Sequence, residues 1–178
     1  ISTNLSDISW DEQPDMRGNS AANKILSLPV RDLTHIERVW MAKVVYHRYV
    51  GTKDKQQIDK KIINLLSEKQ KISSYAIGLG LRFLYNFSAG LPKNLDNIKF
   101  KIKKNKLTCK IKPEAKALMD KENERRFKNF ANACNLNYEI IFYSYITGIT
   151  VASFWSTNPW KTNFTNTFSG IITYSFKT

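Results

Sequence analysis

The sequence predicts a mainly α fold with one β-hairpin and a final helix, followed by an aromatic-rich C-terminal tail of different character. Three observations predict it. Apolar residues recur at helical spacing along most of the chain up to Ser88, and again before Asn135. Between Ile98 and Lys112 the apolar period shortens to two. After Glu139 acidic residues cease and Phe, Tyr and Trp become frequent.

Leu5, Ile8 and Trp10 stand at helical spacing, so residues 4–10 read as the end of a helix. The stretch 11–18 is polar, holds Pro14 and reads as a loop. Asn19 or Ser20 is placed to cap a short helix carrying Ala21, Ala22, Ile25 and Leu26, which Pro29 stops. Thr34 to Glu37 has the form of a capping box, with Thr at the cap and Glu three residues on. The helix it opens carries Ile36, Val39, Trp40, Val44 and His47 on or near one face and ends near Gly51. A third helix is expected over residues 55–69, with Ile58, Ile62, Leu65 and Leu66. The fourth, over 72–88, is apolar nearly all round, as a central buried helix is. Gly78 and Gly80 lie inside it. Each costs about 1 kcal/mol of helix propensity, and close helix packing is the expected compensation.

In the hairpin, Ile98, Phe100 and Ile102 alternate with Lys99, Lys101 and Lys103; beyond the turn, Leu107, Cys109 and Ile111 alternate with Thr108, Lys110 and Lys112. One face is buried and the other is covered by lysine. The final helix is expected from about Pro113 to Asn135, with Phe127, Phe130, Ala131 and Cys134 as its stripe. The tail is uncharged from Ile140 to Trp160, long enough to cross a bilayer, yet its Ser, Thr, Gly, Asn and Pro make it a poor span. A segment foreign to the domain, or a β-rich extension, are the other readings.

The chain of 178 residues carries a net charge of +13 and a pI of about 9.7. Such a field attracts polyanions: polyphosphate, nucleic acid or an acidic membrane face. Lys far outnumbers Arg, and Lys, Ile and Asn share AT-rich codons, so genome composition is the competing explanation. Cys109 and Cys134 match no metal-ligand spacing; they are free thiols of a reducing cytosol or a single disulfide. No signal peptide is visible. The first residue is Ile1, and the chain reads as a piece of a longer protein.

Three stretches together resemble the C-terminal domain of the exopolyphosphatase / guanosine pentaphosphate phosphohydrolase family. They are Leu5-Ser6-Asp7-Ile8-Ser9-Trp10 with Pro14-Asp15-Met16-Arg17-Gly18, His35-x-x-Arg38 with Tyr46-His47-Arg48-Tyr49, and Gly78-Leu79-Gly80-Leu81-Arg82-Phe83. A hairpin and a helix with Glu124-Arg125-Arg126 follow in the family's order. The resemblance implies an HD-like helical domain over residues 1–141, with 142–178 as a divergent tail. It also implies two upstream actin-like domains that carry the phosphate loops, the Mg²⁺ site and the catalytic glutamate. None of those motifs stands in this chain, so no catalytic residue and no metal ligand is assigned here. A metal-dependent HD hydrolase needs several converging His and Asp ligands, whereas the chain has only His35 and His47 and reads Ser6-Asp7 where an active HD domain has His-Asp. Asp7 is expected to be a structural hydrogen-bond acceptor.

Arg17, Arg38, His47 and Arg48 are the candidate phosphate contacts, because the resemblance brings their segments towards one side of the domain. Guanidinium groups give phosphate oxygens paired hydrogen bonds. The structural alternative has Arg38 and Arg48 paired with Glu37, Asp54 or Asp59, and His47 buried. The hairpin lysines are either an electrostatic rail or a solvated face. The expected function is that of an accessory domain, cytoplasmic, holding polyphosphate or guanosine pentaphosphate for catalytic domains elsewhere. A homodimer is open. A stand-alone nucleic-acid-binding module and an inactive gene remnant are the alternatives.

Overall fold

A computed structural model of the protein describes residues 7–29, 33–53 and 58–143. Mainly helical architecture with a small sheet is what it contains. The elements run α1 (Arg17–Ser27), α2 (His35–Val50), α3 (Lys60–Ile63), α4 (Glu68–Ser88), β1 (Ile98–Lys103), β2 (Lys106–Ile111), α5 (Lys121–Ala133) and β3 (Asn137–Phe142), with 3-10 turns at Pro92–Asn97 and Pro113–Leu118.

The helix starts follow local chemistry. Thr34 and Glu37 form the expected reciprocal capping box at α2, and Gly51, at φ +71°, closes its far end. Ser67 and Gln70 form a second capping box, which starts α4. Ser67 must therefore leave helical geometry (φ −64°, ψ 161°), and this breaks the continuous helix expected over 55–69. Among the described residues of that stretch before Ser67, only the four of α3 are helical, capped by Asp59. The expected helix from Pro113 is divided in the same way. Pro113 opens a 3-10 turn, and Asp120 caps α5 by accepting the Asn123 amide hydrogen. At α1 the cap position is Met16, which supplies no side-chain acceptor, and Asn19 and Ser20 sit inside the helix. Residues 7–10 form turns rather than a helix end, and residues 1–6 lie outside the described set.

Helix α4 is central. One side of it faces α2, where Val44, Ile77 and Leu81 pack together. Gly78 allows the approach: a Cβ there would sit 2.6 Å from the Val44 carbonyl oxygen and 2.6 Å from the His47 Cβ. The other side enters the main core, where Leu79, Phe83 and Phe87 meet Phe127 and Phe130 of α5 and the inner face of the sheet. Phe83, Phe87 and Phe127 are fully buried, and cutting any one to Ala is expected to cost about 3–5 kcal/mol. A separate cluster joins α1 to α2 through Ala21, Ala22, Ile25, Met41, Ala42 and Val45.

The hairpin forms as expected, with Phe100 opposite Cys109 and Ile102 opposite Leu107. Its turn, Lys104-Asn105, has positive φ at both positions, which matches the twist of the flanking strands. The third strand is new. β3 pairs parallel to β2, with Tyr138 beside Leu107 and Ile140 beside Cys109, so β2 is the middle strand. The second 3-10 turn and α5 make the crossover that a parallel pair requires. Residues 144–178, most of the expected tail, lie outside the described residues.

Candidate polyanion-binding site

Arginines from three helices converge beside the C-terminal end of α2. Arg48, in its last turn, is 7% exposed. Its guanidinium lies between two tyrosine rings, 4.2 Å from the centre of Tyr49 and 4.0 Å from that of Tyr85, and donates to the Asp7 carboxylate. Two rings and one carboxylate hold it rigidly. Arg82 projects from the C-terminal part of α4 and donates through Nη1 to the carbonyl of Arg48, at 2.9 Å, and to that of Tyr49. It thereby closes carbonyls at the negative end of α2. Gly51 leaves room for it: a Cβ there would lie 3.0 Å from the Arg82 Nε.

Helix α5 contributes the rest. The Glu122 carboxylate accepts from Arg125 through Nε at 2.8 Å and Nη2 at 2.7 Å, and pairs with Arg126 Nη2 at 2.9 Å. Four guanidinium groups therefore share two carboxylates, Asp7 and Glu122. Electrostatics registers the imbalance. Burial pushes Arg82 down to about 10, and repulsion from Arg126, Arg48 and Arg125 adds to it, while Glu122 opposes. Hydrogen bonding from Arg125 holds the Glu122 carboxyl below the usual carboxylate range, helped by the charges of Arg126, Arg125 and Arg82. The Nε atoms of Arg48 and Arg126 are buried and donate to no acceptor among the described residues. An anion with several oxygens would balance the charge through the exposed guanidinium of Arg125, whereas the two buried Nε atoms are closed to it.

The four residues expected to contact phosphate do not form one group. Arg48 belongs to this cluster. Its acid partner is Asp7, as that residue's expected structural role requires; Glu37 is engaged in the cap of α2, Asp59 in that of α3, and Asp54 lies outside the described residues. Arg38 sits at the opposite end of α2, about 15 Å along its axis from Arg48. His47 is buried, 2% exposed, with its ring edge-on to Tyr46 and Tyr75, and it is turned a quarter of the helix away from Arg48. Arg17 donates its Nε to the Glu12 carbonyl at 2.8 Å, at the start of α1. Sequence reasoning did not single out Arg82, Arg125 and Arg126 as site residues. Arg82 carried a readable signal: it is the sole charge within the apolar run of α4, and a charge there must have partners.

Both cysteines are free. Burial pushes each thiol up to about 12, so neither is a nucleophile at neutral pH. Among the described residues no three His, Cys, Asp or Glu side chains converge as a cation site requires, and no helix is long and apolar enough to cross a membrane.

The family model for the exopolyphosphatase C-terminal domain matches residues 1–141. The chain belongs to this family. No curated protein matches it at significant similarity. In this exopolyphosphatase C-terminal domain, then, the arginine cluster draws on α2, α4, α5 and the Asp7 turn, all within the matched residues.

Proposed function

We propose that this exopolyphosphatase C-terminal domain is an accessory domain that holds an inorganic polyphosphate chain while catalytic domains elsewhere remove its terminal phosphate. One observation carries the reading: among the described residues, four arginines share only two carboxylates, Asp7 and Glu122. Polyphosphate offers dense, repeated oxygens to such donors. Guanosine pentaphosphate has the same terminal chemistry and is the alternative substrate of that reading. Mg²⁺ would be bound in the catalytic domains and does not enter this site.

Binding of long-chain polyphosphate, with single-stranded RNA as competitor, tests the proposal. The double variant Arg125→Ala/Arg126→Ala should lose about tenfold in polyphosphate affinity while the fold is retained. Unchanged affinity would overturn the assignment. A second reading, a nucleic-acid-binding module, is favoured by the outer face of the hairpin, where Lys99 stands opposite Lys110 and Lys103 opposite Lys106. It predicts that RNA displaces polyphosphate at equal charge, and that loss of the arginines leaves binding intact.

A further inference from the structure

Phe100, Cys109 and Ile140 turn into the core, so their strand neighbours form the outer face of the sheet. The register sets nine positions there in three rows across the strands: Lys99, Lys110 and Ile141; Lys101, Thr108 and Glu139; Lys103, Lys106 and Asn137. Rows are about 7 Å apart and neighbours within a row about 5 Å. The side chains therefore spread over a surface rather than line a cleft.

Five of the nine are lysine and one is a carboxylate. That carboxylate, Glu139, is already engaged: it accepts from Lys106 Nζ at 3.2 Å and from the Thr108 hydroxyl at 3.0 Å. Lys101, Lys103 and the turn residue Lys104 are exposed and form no ion pair with any described residue. The excess of positive charge thus stands without counting Lys99, Lys106 or Lys110. Two further features choose among anionic partners. The cations are lysines, point charges without the planar fork that grips a single phosphate, and none of the nine positions offers an aromatic ring on which a base could stack. Ile141, 38% exposed, stands at the end of the face farthest from the hairpin turn. After it the sequence from Phe142 to Trp160 has no charged residue and includes Tyr143, Tyr145, Trp155 and Trp160. Tyrosine and tryptophan favour the boundary between lipid and water.

We propose that this face docks on the surface of a bilayer rich in anionic phospholipid, with Lys101, Lys103 and Lys104 over the headgroups and Ile141 at the apolar border. The association is peripheral, since no described helix is long and apolar enough to cross a membrane. Each lysine held near such a surface contributes roughly fivefold in affinity. The face shares no residue with the arginine cluster, so the proposal is independent of the polyphosphate reading.

The test sediments the full chain with vesicles of equimolar phosphatidylglycerol and phosphatidylcholine, and with vesicles of phosphatidylcholine alone. The chain should bind the first and not the second, and binding should weaken as salt rises. Lys101→Gln/Lys103→Gln should lower the affinity by at least about tenfold. Both positions are exposed, so the fold is not at risk. Lys101→Arg/Lys103→Arg keeps the charge and should keep the binding. Ile141→Ser should weaken binding to vesicles and leave binding to single-stranded RNA unchanged. Arg125→Ala/Arg126→Ala should leave vesicle binding as it is. The proposal is overturned if neutral vesicles bind as well as anionic ones, if the glutamine variant binds like the unaltered chain, or if binding follows Arg125 and Arg126 rather than the lysines. Displacement of the vesicles by single-stranded RNA at equal charge would also overturn it and make the face a nucleic-acid surface. An Ile141→Ser variant that binds vesicles undiminished would overturn the assignment of the apolar border.

Discussion

At the scale of single residues, Glu122 is the informative position. Its carboxylate engages Arg125 and Arg126, so it would compete with the proposed phosphate ligand for them. Glu122→Gln should raise polyphosphate affinity by removing that competitor. It should also lower stability by less than about 1 kcal/mol, since the carboxylate is partly exposed and such pairs are screened. The acid limb of stability gives an independent check. The folded-state pKa of Glu122 lies below its ordinary value of 4.5. Its contribution is therefore complete above that value and is lost as pH falls through the folded pKa. Glu37, Glu68 and Glu139 are depressed in the same direction by hydrogen bonds from Thr34, Lys71 and Lys106. Unfolding midpoints in urea should fall steadily below about pH 4.5, and the slope should be shallower in Glu122→Gln. Cys109 supplies a probe of another kind. Fully buried, with its thiol pushed up to about 12, it should resist alkylation at pH 8 until denaturant is added.

Among elements, the α2–α4 contact is the most sensitive. Gly78→Ala gains helix propensity of about 1 kcal/mol yet places a methyl group against the Val44 carbonyl. Backbone cannot yield there as a flexible side chain would, so the net effect should be destabilising by about 1–3 kcal/mol in chemical denaturation. An increase in stability would show that the helices can separate without cost. The sequence made this contact legible, because a glycine in an otherwise buried helix demands a close neighbour. It also made legible the capping box at Thr34, the stop at Gly51 and the hairpin, whose alternation admits one register. Its misreadings have a common physical cause. Ser67-x-x-Gln70 and Asp120 are caps standing inside apolar patterns that continue on both sides, so periodicity runs straight through the break. β3 was missed because Ile141 and Phe142 extend its alternation into the uncharged tail, and no turn residue marks an end. The arginine cluster was legible only at Arg48. Its other members come from α4 and α5, and no spacing rule relates positions 48, 82 and 126 before the chain is folded.

On the scale of the whole molecule, charge sets the response to salt. The net charge of +13 and the lysines of the outer sheet face repel one another at low ionic strength. Lys99 shows this locally, its pKa lowered by burial and then by Lys112. Raising salt from about 10 mM to about 150 mM shortens the screening length from roughly 30 Å to 8 Å. The melting temperature should rise over that interval, while polyphosphate affinity falls. A melting temperature that drops with salt would mean that the carboxylate pairs outweigh the lysine repulsion.

The parallel crossover has a consequence for how the protein is made. The ribosome delivers β1 and β2 together, and they can zip locally as soon as they emerge. The second neighbour of β2 is delivered only after all of α5. During that interval a nascent chain presents an unpaired β2 edge beside Leu107, Cys109 and Ile111, which is a template for the wrong strand. Translation speed through the codons for α5 thus determines how long the hazard lasts, and release of Phe142 ends it.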